Sequence, residues 1–183
     1  MNIADISSLD YESGIELLKS YTQWKNDIKL HIDFWADHSQ SKIIRDFVGI
    51  LFDNFWIANP WKGRFILITD ELINNAIEHG SAPGDLDSCV IEAWEDASGD
   101  FCIVIEVHDT GNGKDSKDAT HMNEIKEEKL EKGSDGNIYM EKRGRGLFYI
   151  TEKIVDRLSF SESPIGGLAV KIEKNIKAIL EEK

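Results

Sequence analysis

Strict alternation of apolar and polar residues predicts five β-strands in this chain. The clearest run starts at Ile28, where apolar residues at every second position alternate with lysine, histidine and aspartate as far as Trp35. This pattern is typical of a strand with one buried and one solvated face, and we expect it at an edge of a sheet. The other strands are predicted near residues 88–95, 100–108, 157–162 and 168–174.

A spacing of three and four residues between apolar positions predicts helices between the strands. Ser39 or Ser41 can cap the first, and Asn59-Pro60 ends it because proline lacks the N–H that the helical ladder needs. A second helix is predicted from about Trp61 to Glu78, and a third begins after a glycine loop near residue 146.

Two further segments lack a strong apolar pattern. Residues 8–27 are weakly amphipathic and predict a short helix, so we expect residues 1–27 to form a helical N-terminal extension before a main domain at 28–183. Residues 114–140 are polar and rich in lysine and glutamate. A connection of this length is usually a functional lid or a disordered segment.

Composition narrows the class of protein. The 183 residues carry 21 lysine and arginine against 34 aspartate and glutamate, a formal net charge of −13. Such a surface repels nucleic acid and anionic lipid, so we expect neither as a direct partner. The start of the chain lacks the basic and apolar regions of a signal peptide, and the apolar runs are too short to cross a bilayer. We therefore expect a cytoplasmic protein, with its two cysteines reduced.

The second helix carries the first candidate chemistry. At about 100° per residue, Glu71, Asn75 and Glu78 cluster opposite the apolar arc. A merely solvated face is the plain alternative. An amide oxygen is, however, a hard ligand of the kind that magnesium prefers beside phosphate oxygens, and a carboxylate one turn earlier can act as a general base.

Two glycine-containing loops carry most of the remaining candidate site residues. Asp109 follows a strand and precedes Gly111 and Gly113; it is either an ordinary turn or an acceptor for the exocyclic amine of a base. In the second loop glycines precede a predicted helix, whose N-terminus can hold phosphate. Its residues are Lys142, Arg143, Gly144, Arg145 and Gly146. Basic residues there oppose the helix dipole, so phosphate binding explains them better than stability does.

In their order and spacing, the three sequence motifs at residues 71–80, 109–113 and 143–147 resemble the N, G1 and G2 boxes of the GHKL family, most closely its anti-sigma factor serine kinase branch. The resemblance covers residues 28–174. It implies an α+β fold, a two-layer sandwich with a mostly antiparallel mixed sheet and helices on one face, known as the Bergerat fold. It also implies that the protein binds ATP with Mg²⁺.

The resemblance further implies roles for individual residues. Asn75 would be the magnesium ligand, Glu71 the catalytic base and Asp109 the acceptor of the adenine amino group. Gly111 and Gly113 would shape the base pocket, and the loop at residues 142–146 would hold phosphates. His79 either contacts nucleotide or caps the end of its helix.

Three functions stay open at this point. The first is a serine/threonine kinase that phosphorylates an anti-sigma-factor antagonist and can also sequester a sigma factor. The second is a binding module gated by nucleotide, without phosphate transfer, and the third is a detached catalytic domain of a histidine kinase. Homodimers are common in the family, so a homodimer is one expectation. The long lid without proline and the N-terminal extension depart from the anti-sigma pattern.

Overall fold

Six strands form a single mixed sheet in the computed structural model of this chain, which describes residues 1–22, 27–132 and 154–178 and gives the backbone alone for residues 129–132. The strands are β1 (Asn2–Asp5), β2 (Asp27–Trp35), β3 (Leu86–Glu95), β4 (Phe101–His108), β5 (Arg157–Glu162) and β6 (Leu168–Ile176). Their order is β1-β2-β3-β4-β6-β5. Every neighbouring pair is antiparallel except β1 and β2, which are parallel.

Helices cover one face of this sheet. Over the described ranges they are α1 (Tyr11–Ser20), α2 (His38–Asn54), α3 (Trp61–Asn75) and α4 (Ala119–Lys132). Strand residues on the covered face are buried, as Leu30 and Ile32 are, whereas Lys29 on the other face is exposed. The predicted α+β sandwich with a mostly antiparallel mixed sheet is confirmed.

An aromatic cluster fixes α3 to the centre of the sheet. The ring of Phe52 on α2 lies 5.2 Å from that of Phe65 on α3 and 5.3 Å from that of Phe101 on β4, centroid to centroid. All three side chains are buried. Aromatic pairs at this separation attract one another beyond the burial of their area. The cluster thereby sets the position of α3, which carries Glu71 and Asn75, relative to β4, which Asp109 directly follows.

The first strand was not predicted, and it changes the place of the second. β1 pairs with β2 from Asn2 opposite Leu30 to Asp5 opposite Asp33. The prediction that residues 29–35 form an edge strand is therefore wrong, because β2 lies between β1 and β3. The N-terminal segment contributes a strand as well as the helix α1, so it is not purely helical.

The bounds of α2 and α3 also differ from those predicted. Asp37, not Ser39 or Ser41, caps α2: its carboxylate accepts a 2.7 Å bond from the backbone N–H of Ser39. α2 ends at Asn54, well before Pro60, and Trp56 follows in the left-handed region with φ of 59°. α3 ends at Asn75, and a π-helical turn continues it through Ala76–Gly80.

Part of the segment predicted as a lid is helical. α4 packs beside β5, where Asn123 Nδ2 donates to the carbonyl of Phe160 at 3.3 Å and Lys126 Nζ to that of Leu158 at 2.6 Å. The apolar pattern did not reveal this helix, because its few apolar residues, some of which pack against the core, lie in an otherwise polar segment. The β3–β4 and β5–β6 hairpins are confirmed.

Several predicted features lie outside the described residues. They are Trp24, the loop with Lys142, Arg143, Gly144, Arg145 and Gly146, and most of the helix expected after it. Both cysteines are free, Cys89 buried and Cys102 half-buried. None of the helices in the described ranges has the length and apolar character needed to span a membrane.

Candidate functional site

Glu71 and Asn75 lie side by side in the last turns of α3. Asn75 Nδ2 donates to Glu71 Oε1 at 3.4 Å, and both residues are half-buried. Residues four apart on a helix share a face, which is why the pair can form. Within the described ranges Asn75 Oδ1 accepts no hydrogen bond. The contact that orients the amide therefore leaves its oxygen available to a ligand.

The end of this helical segment meets the first glycine loop. The backbone N–H of Gly113 donates to the carbonyl of Gly80 at 3.1 Å. Gly80 also lies directly against Asp109, so that a Cβ at residue 80 would overlap the carboxylate. The structure thus brings together the first two of the three sequence motifs, the one that contains Asn75 and the one that contains Asp109.

The carboxylate of Asp109 is held by the backbone on one side only. Its Oδ1 accepts the N–H of Gly111 at 3.0 Å and that of Leu168, at the start of β6, at 2.9 Å. Its Oδ2 accepts no hydrogen bond from the described residues. Burial raises the pKa of Asp109, and the two N–H donors oppose that rise. One oriented, largely desolvated oxygen is therefore left to accept a hydrogen bond from a ligand.

Glycines make this arrangement possible. Gly111 has φ of 75°, a conformation that side chains disfavour. Gly167, in the β5–β6 turn, lies so close to Asp109 that a Cβ there would overlap Oδ1 and the Gly111 nitrogen. Gly113 lies equally close to the carbonyl of His79. The sequence pattern indicated the roles of Gly111 and Gly113 but not those of Gly80 and Gly167.

His79 lies in the π-helical turn at this junction. Its side chain is 40% exposed, and the described residues give it one contact, 4.0 Å from Nε2 to Glu78 Oε2. No capping bond from its ring to a helix carbonyl occurs among them. Contact with nucleotide therefore stays a prediction for His79.

A polar cluster behind Asp109 was not predicted. Ser81 and Asp87 are buried, and Thr110 and Asp85 join them through hydrogen bonds. Alternation along β3 could have revealed Asp87, because it shares the buried register with Cys89 and Ile91. A carboxyl at such a position is rare enough to indicate a role.

The residues present suit a single magnesium ion held largely by phosphate. The described part of the chain has no group of three or more acidic, histidine or cysteine side chains that could hold a metal. Mg²⁺ commonly takes only one or two protein ligands together with substrate phosphates and water. The free Oδ1 of Asn75 provides one hard oxygen of this kind.

A protein-family model matches most of the chain. Residues 34–174 match the family model described as the histidine kinase-like ATPase domain. The matched span contains Glu71, Asn75 and Asp109, begins within β2 and leaves out β1 and α1. None of the curated proteins compared with the chain matches it.

Proposed function

Because this chain belongs to the histidine kinase-like ATPase family, we propose that it is an ATP-dependent serine/threonine protein kinase of the anti-sigma factor type. Its substrate would be a small anti-sigma-factor antagonist, and a sigma factor would be a second partner that it sequesters. The observation that carries the proposal is the contact between Glu71 and Asn75, which places a candidate base and a candidate magnesium ligand one helical turn apart.

The proposed site has one end that holds the adenine base, called the base end, and another that holds the phosphates, called the phosphate end. At the base end, Asp109 Oδ2 would accept a hydrogen bond from the adenine amino group, because its other oxygen is already held by the backbone. At the phosphate end, Asn75 would hold Mg²⁺, which neutralises charge on the phosphates when bound. The loop with Lys142, Arg143, Gly144, Arg145 and Gly146 would add N–H groups and cations at this end, as its sequence predicts.

Glu71 would act on the hydroxyl of the protein substrate. Its carboxylate would take the proton from the serine or threonine oxygen, which forms a bond to the γ-phosphorus. The bond from that phosphorus to the bridging oxygen of the β-phosphate breaks, and ADP leaves. Only Oε1 of Glu71 is engaged by Asn75, so the contact orients the carboxylate without consuming both oxygens.

The charge of the chain supports a protein partner with a basic or mixed surface. A net charge of −13 attracts such a surface and repels nucleic acid. We propose a cytoplasmic setting for this encounter, in which both cysteines stay reduced. A homodimer belongs to the same proposal.

The test uses γ-labelled ATP, Mg²⁺ and the partner that the intact protein captures. The wild-type protein should transfer label to a serine or threonine of the partner. Glu71→Gln should bind ATP as before but transfer label at a rate lower by about a hundredfold or more. Partner retention that depends on ATP, without any phosphate on the partner, would instead show a nucleotide-gated binding module. Acid-labile phosphate on histidine would show the catalytic domain of a histidine kinase.

A further inference from the structure

The buried carboxyl of Asp87 lies where an apolar residue would otherwise pack. It is fully buried, and it occupies the first buried position of β3, opposite Phe34 of β2. Its Oδ1 lies 2.5 Å from Ser81 Oγ, and its Oδ2 has no hydrogen-bond partner among the described residues. A buried carboxylate without donors on one oxygen costs much more free energy than a neutral acid in the same place.

Asp87 is one end of a chain of oxygen atoms that runs to Asp85. From Asp87 Oδ1 the chain passes to Ser81 Oγ at 2.5 Å, from there to Thr110 Oγ1 at 3.2 Å, and on to Asp85 Oδ2 at 2.5 Å. Ser81 Oγ also accepts the backbone N–H of Thr110 at 3.1 Å. Thr110 directly follows Asp109, so this chain of oxygen atoms reaches the loop at residues 109–113, called the base-recognition loop.

A fully hydrogen-bonded chain from Asp87 to Asp85 needs one proton from a carboxyl. Three oxygen-to-oxygen contacts each require one proton, but the hydroxyls of Ser81 and Thr110 supply only two. If Thr110 donates to Asp85 and Ser81 donates to Thr110, the contact between Asp87 and Ser81 has no proton unless Asp87 provides it. All three contacts are hydrogen bonds at the same time only when a third proton lies on one of the two carboxyls.

The surroundings of Asp85 and Asp87 differ, and they favour the proton on Asp87. Asp85 Oδ2 accepts from Thr110 and also from the Ala82 N–H and Asn112 Nδ2, both at 3.0 Å, and these donors lower the pKa of Asp85. Burial raises the pKa of Asp87 to about 7, against the opposing bond from Ser81, and the charges of Asp109 and Asp85 raise it further. Those two carboxylates are the charged groups that act on Asp87 within the described ranges.

We propose that Asp87, as a neutral acid, donates to Ser81 and through Ser81 fixes Thr110, so that it acts as a positioning residue for the base-recognition carboxylate of Asp109. The proposal rests on the proposed function for the identity of the ligand, a nucleotide whose base donates to Asp109. Loss of the proton on Asp87 turns the Ser81 hydroxyl toward the new carboxylate. Ser81 Oγ and Thr110 Oγ1 then face each other at 3.2 Å without a proton between them, and the loop is held less firmly.

The predicted consequence is a pH dependence of nucleotide binding that resides in Asp87. Between pH 7 and pH 9 the Kd of the wild-type protein for MgATP should rise by about fivefold as Asp87 loses its proton. Asp87→Asn should bind like the wild type at pH 7, because its amide can donate to Ser81, and its Kd should stay within about twofold over the same range. Ser81→Ala, which breaks the chain, should bind weakly at every pH.

The test combines titration calorimetry with carboxyl and amide NMR on the intact chain. In the free wild-type protein the Asp87 carboxyl should titrate near neutral pH, and the amide resonance of Thr110 should shift with the same midpoint. In Asp87→Asn the Thr110 amide should not shift over that range. Ionisation of MgATP is common to both proteins, so the comparison between them removes it.

The outcomes separate the two proposals. An Asp87 carboxyl that titrates near pH 4, or a Thr110 amide that shifts equally in Asp87→Asn, would overturn the positioning role whether or not ATP binds. A parallel rise of Kd in the wild type and in Asp87→Asn would overturn it as well. A wild-type protein that shows the NMR behaviour but binds no ATP would contradict the proposed function while leaving the chain from Asp87 to Thr110 intact.

Discussion

Asn75 donates its amide N–H to Glu71, one turn earlier on α3, across 3.4 Å. Within the described ranges this contact leaves the amide oxygen of Asn75 and one carboxylate oxygen of Glu71 without a hydrogen bond. Asn74, the next residue along, is tied instead to His38 at the start of α2, with 3.1 Å between His38 Nδ1 and Asn74 Oδ1. Neighbouring amides thus have different partners, Glu71 on the same helix for Asn75 and His38 on α2 for Asn74.

Asn75→Ala should abolish the contribution of magnesium to nucleotide binding. We expect Mg²⁺ to strengthen ATP binding to the wild-type protein by about tenfold or more and to have little effect on the variant. Calorimetry with and without Mg²⁺ measures this difference. Asn74→Ala is the matched control and should keep the magnesium effect. An equal effect of Mg²⁺ in Asn75→Ala would remove Asn75 from the metal site.

Gly80→Ala and Gly167→Ala should each damage the base end of the site. The added methyl group overlaps the carboxylate of Asp109 in both variants, so we expect a loss of about 1–3 kcal/mol in the free energy of unfolding and at least about tenfold in ATP affinity. Denaturation and calorimetry provide the two values. Gly99→Ala, in the β3–β4 turn where a Cβ meets nothing within 4 Å, should bind ATP normally. ATP binding of wild-type strength in both site variants would show that Asp109 does not contact the base.

Asp87→Asn should change how the stability of the protein depends on pH. The pKa of Asp87 is about 7 in the folded state against 3.8 for an unperturbed aspartate, so between these values the folded state holds a proton that the unfolded state has lost. Stability from this group therefore falls as pH rises from about 4 to about 7, by up to about 4 kcal/mol.

Comparison with the variant isolates that effect. The asparagine side chain does not ionise, so Asp87→Asn should be more stable than the wild type at pH 8 and lose that advantage near pH 4. Urea denaturation across pH 4–8 measures it. A constant difference between the two proteins would mean that Asp87 does not titrate in this range.

Adenine nucleotide with Mg²⁺ should protect residues 114–140 from proteolysis. α4 within this segment is attached to β5 by side-chain bonds from Asn123 and Lys126 to backbone carbonyls, and ligand binding stabilises segments that close on it. Mapping of cleavage sites by mass spectrometry should show slower cutting there, with unchanged cutting at the β3–β4 turn. Equal cleavage with and without ATP would argue against a lid.

The sequence predicted those parts of the fold whose pattern is local. The β3–β4 hairpin follows from period-two alternation and a Gly99 turn, and the face of α3 follows from its helical period. β1 was missed because four residues are too few to show a period, and with it the internal place of β2. α4 was missed because the apolar residues that pack it against the core, Ala119, Met122 and Ile125, are few in an otherwise polar segment.

The candidate site was likewise predicted only in part. The roles of Asn75 and Asp109 were predicted from the resemblance of their motifs to the GHKL family, and the structure brings their segments together at Gly80 and Gly113. Ser81 and Asp87 could not be joined to Thr110 from sequence, because hydrogen bonds between residues about thirty positions apart depend on how the loops meet.

Calorimetric titration of Asp109→Asn with ATP and Mg²⁺ measures whether the carboxylate of Asp109 recognises adenine. Replacing Oδ2 by an amide nitrogen turns the free acceptor into a donor that opposes the adenine amino group, so affinity should fall by about tenfold to a hundredfold. Asp96→Asn is the matched control, since Asp96 Oδ1 likewise accepts two backbone N–H groups, at 2.8 and 3.0 Å, in the β3–β4 turn. We expect measurable binding by the wild type and the control and a large loss in Asp109→Asn. Equal affinity in all three proteins, or no heat of binding from the wild type at millimolar ATP, would contradict this expectation.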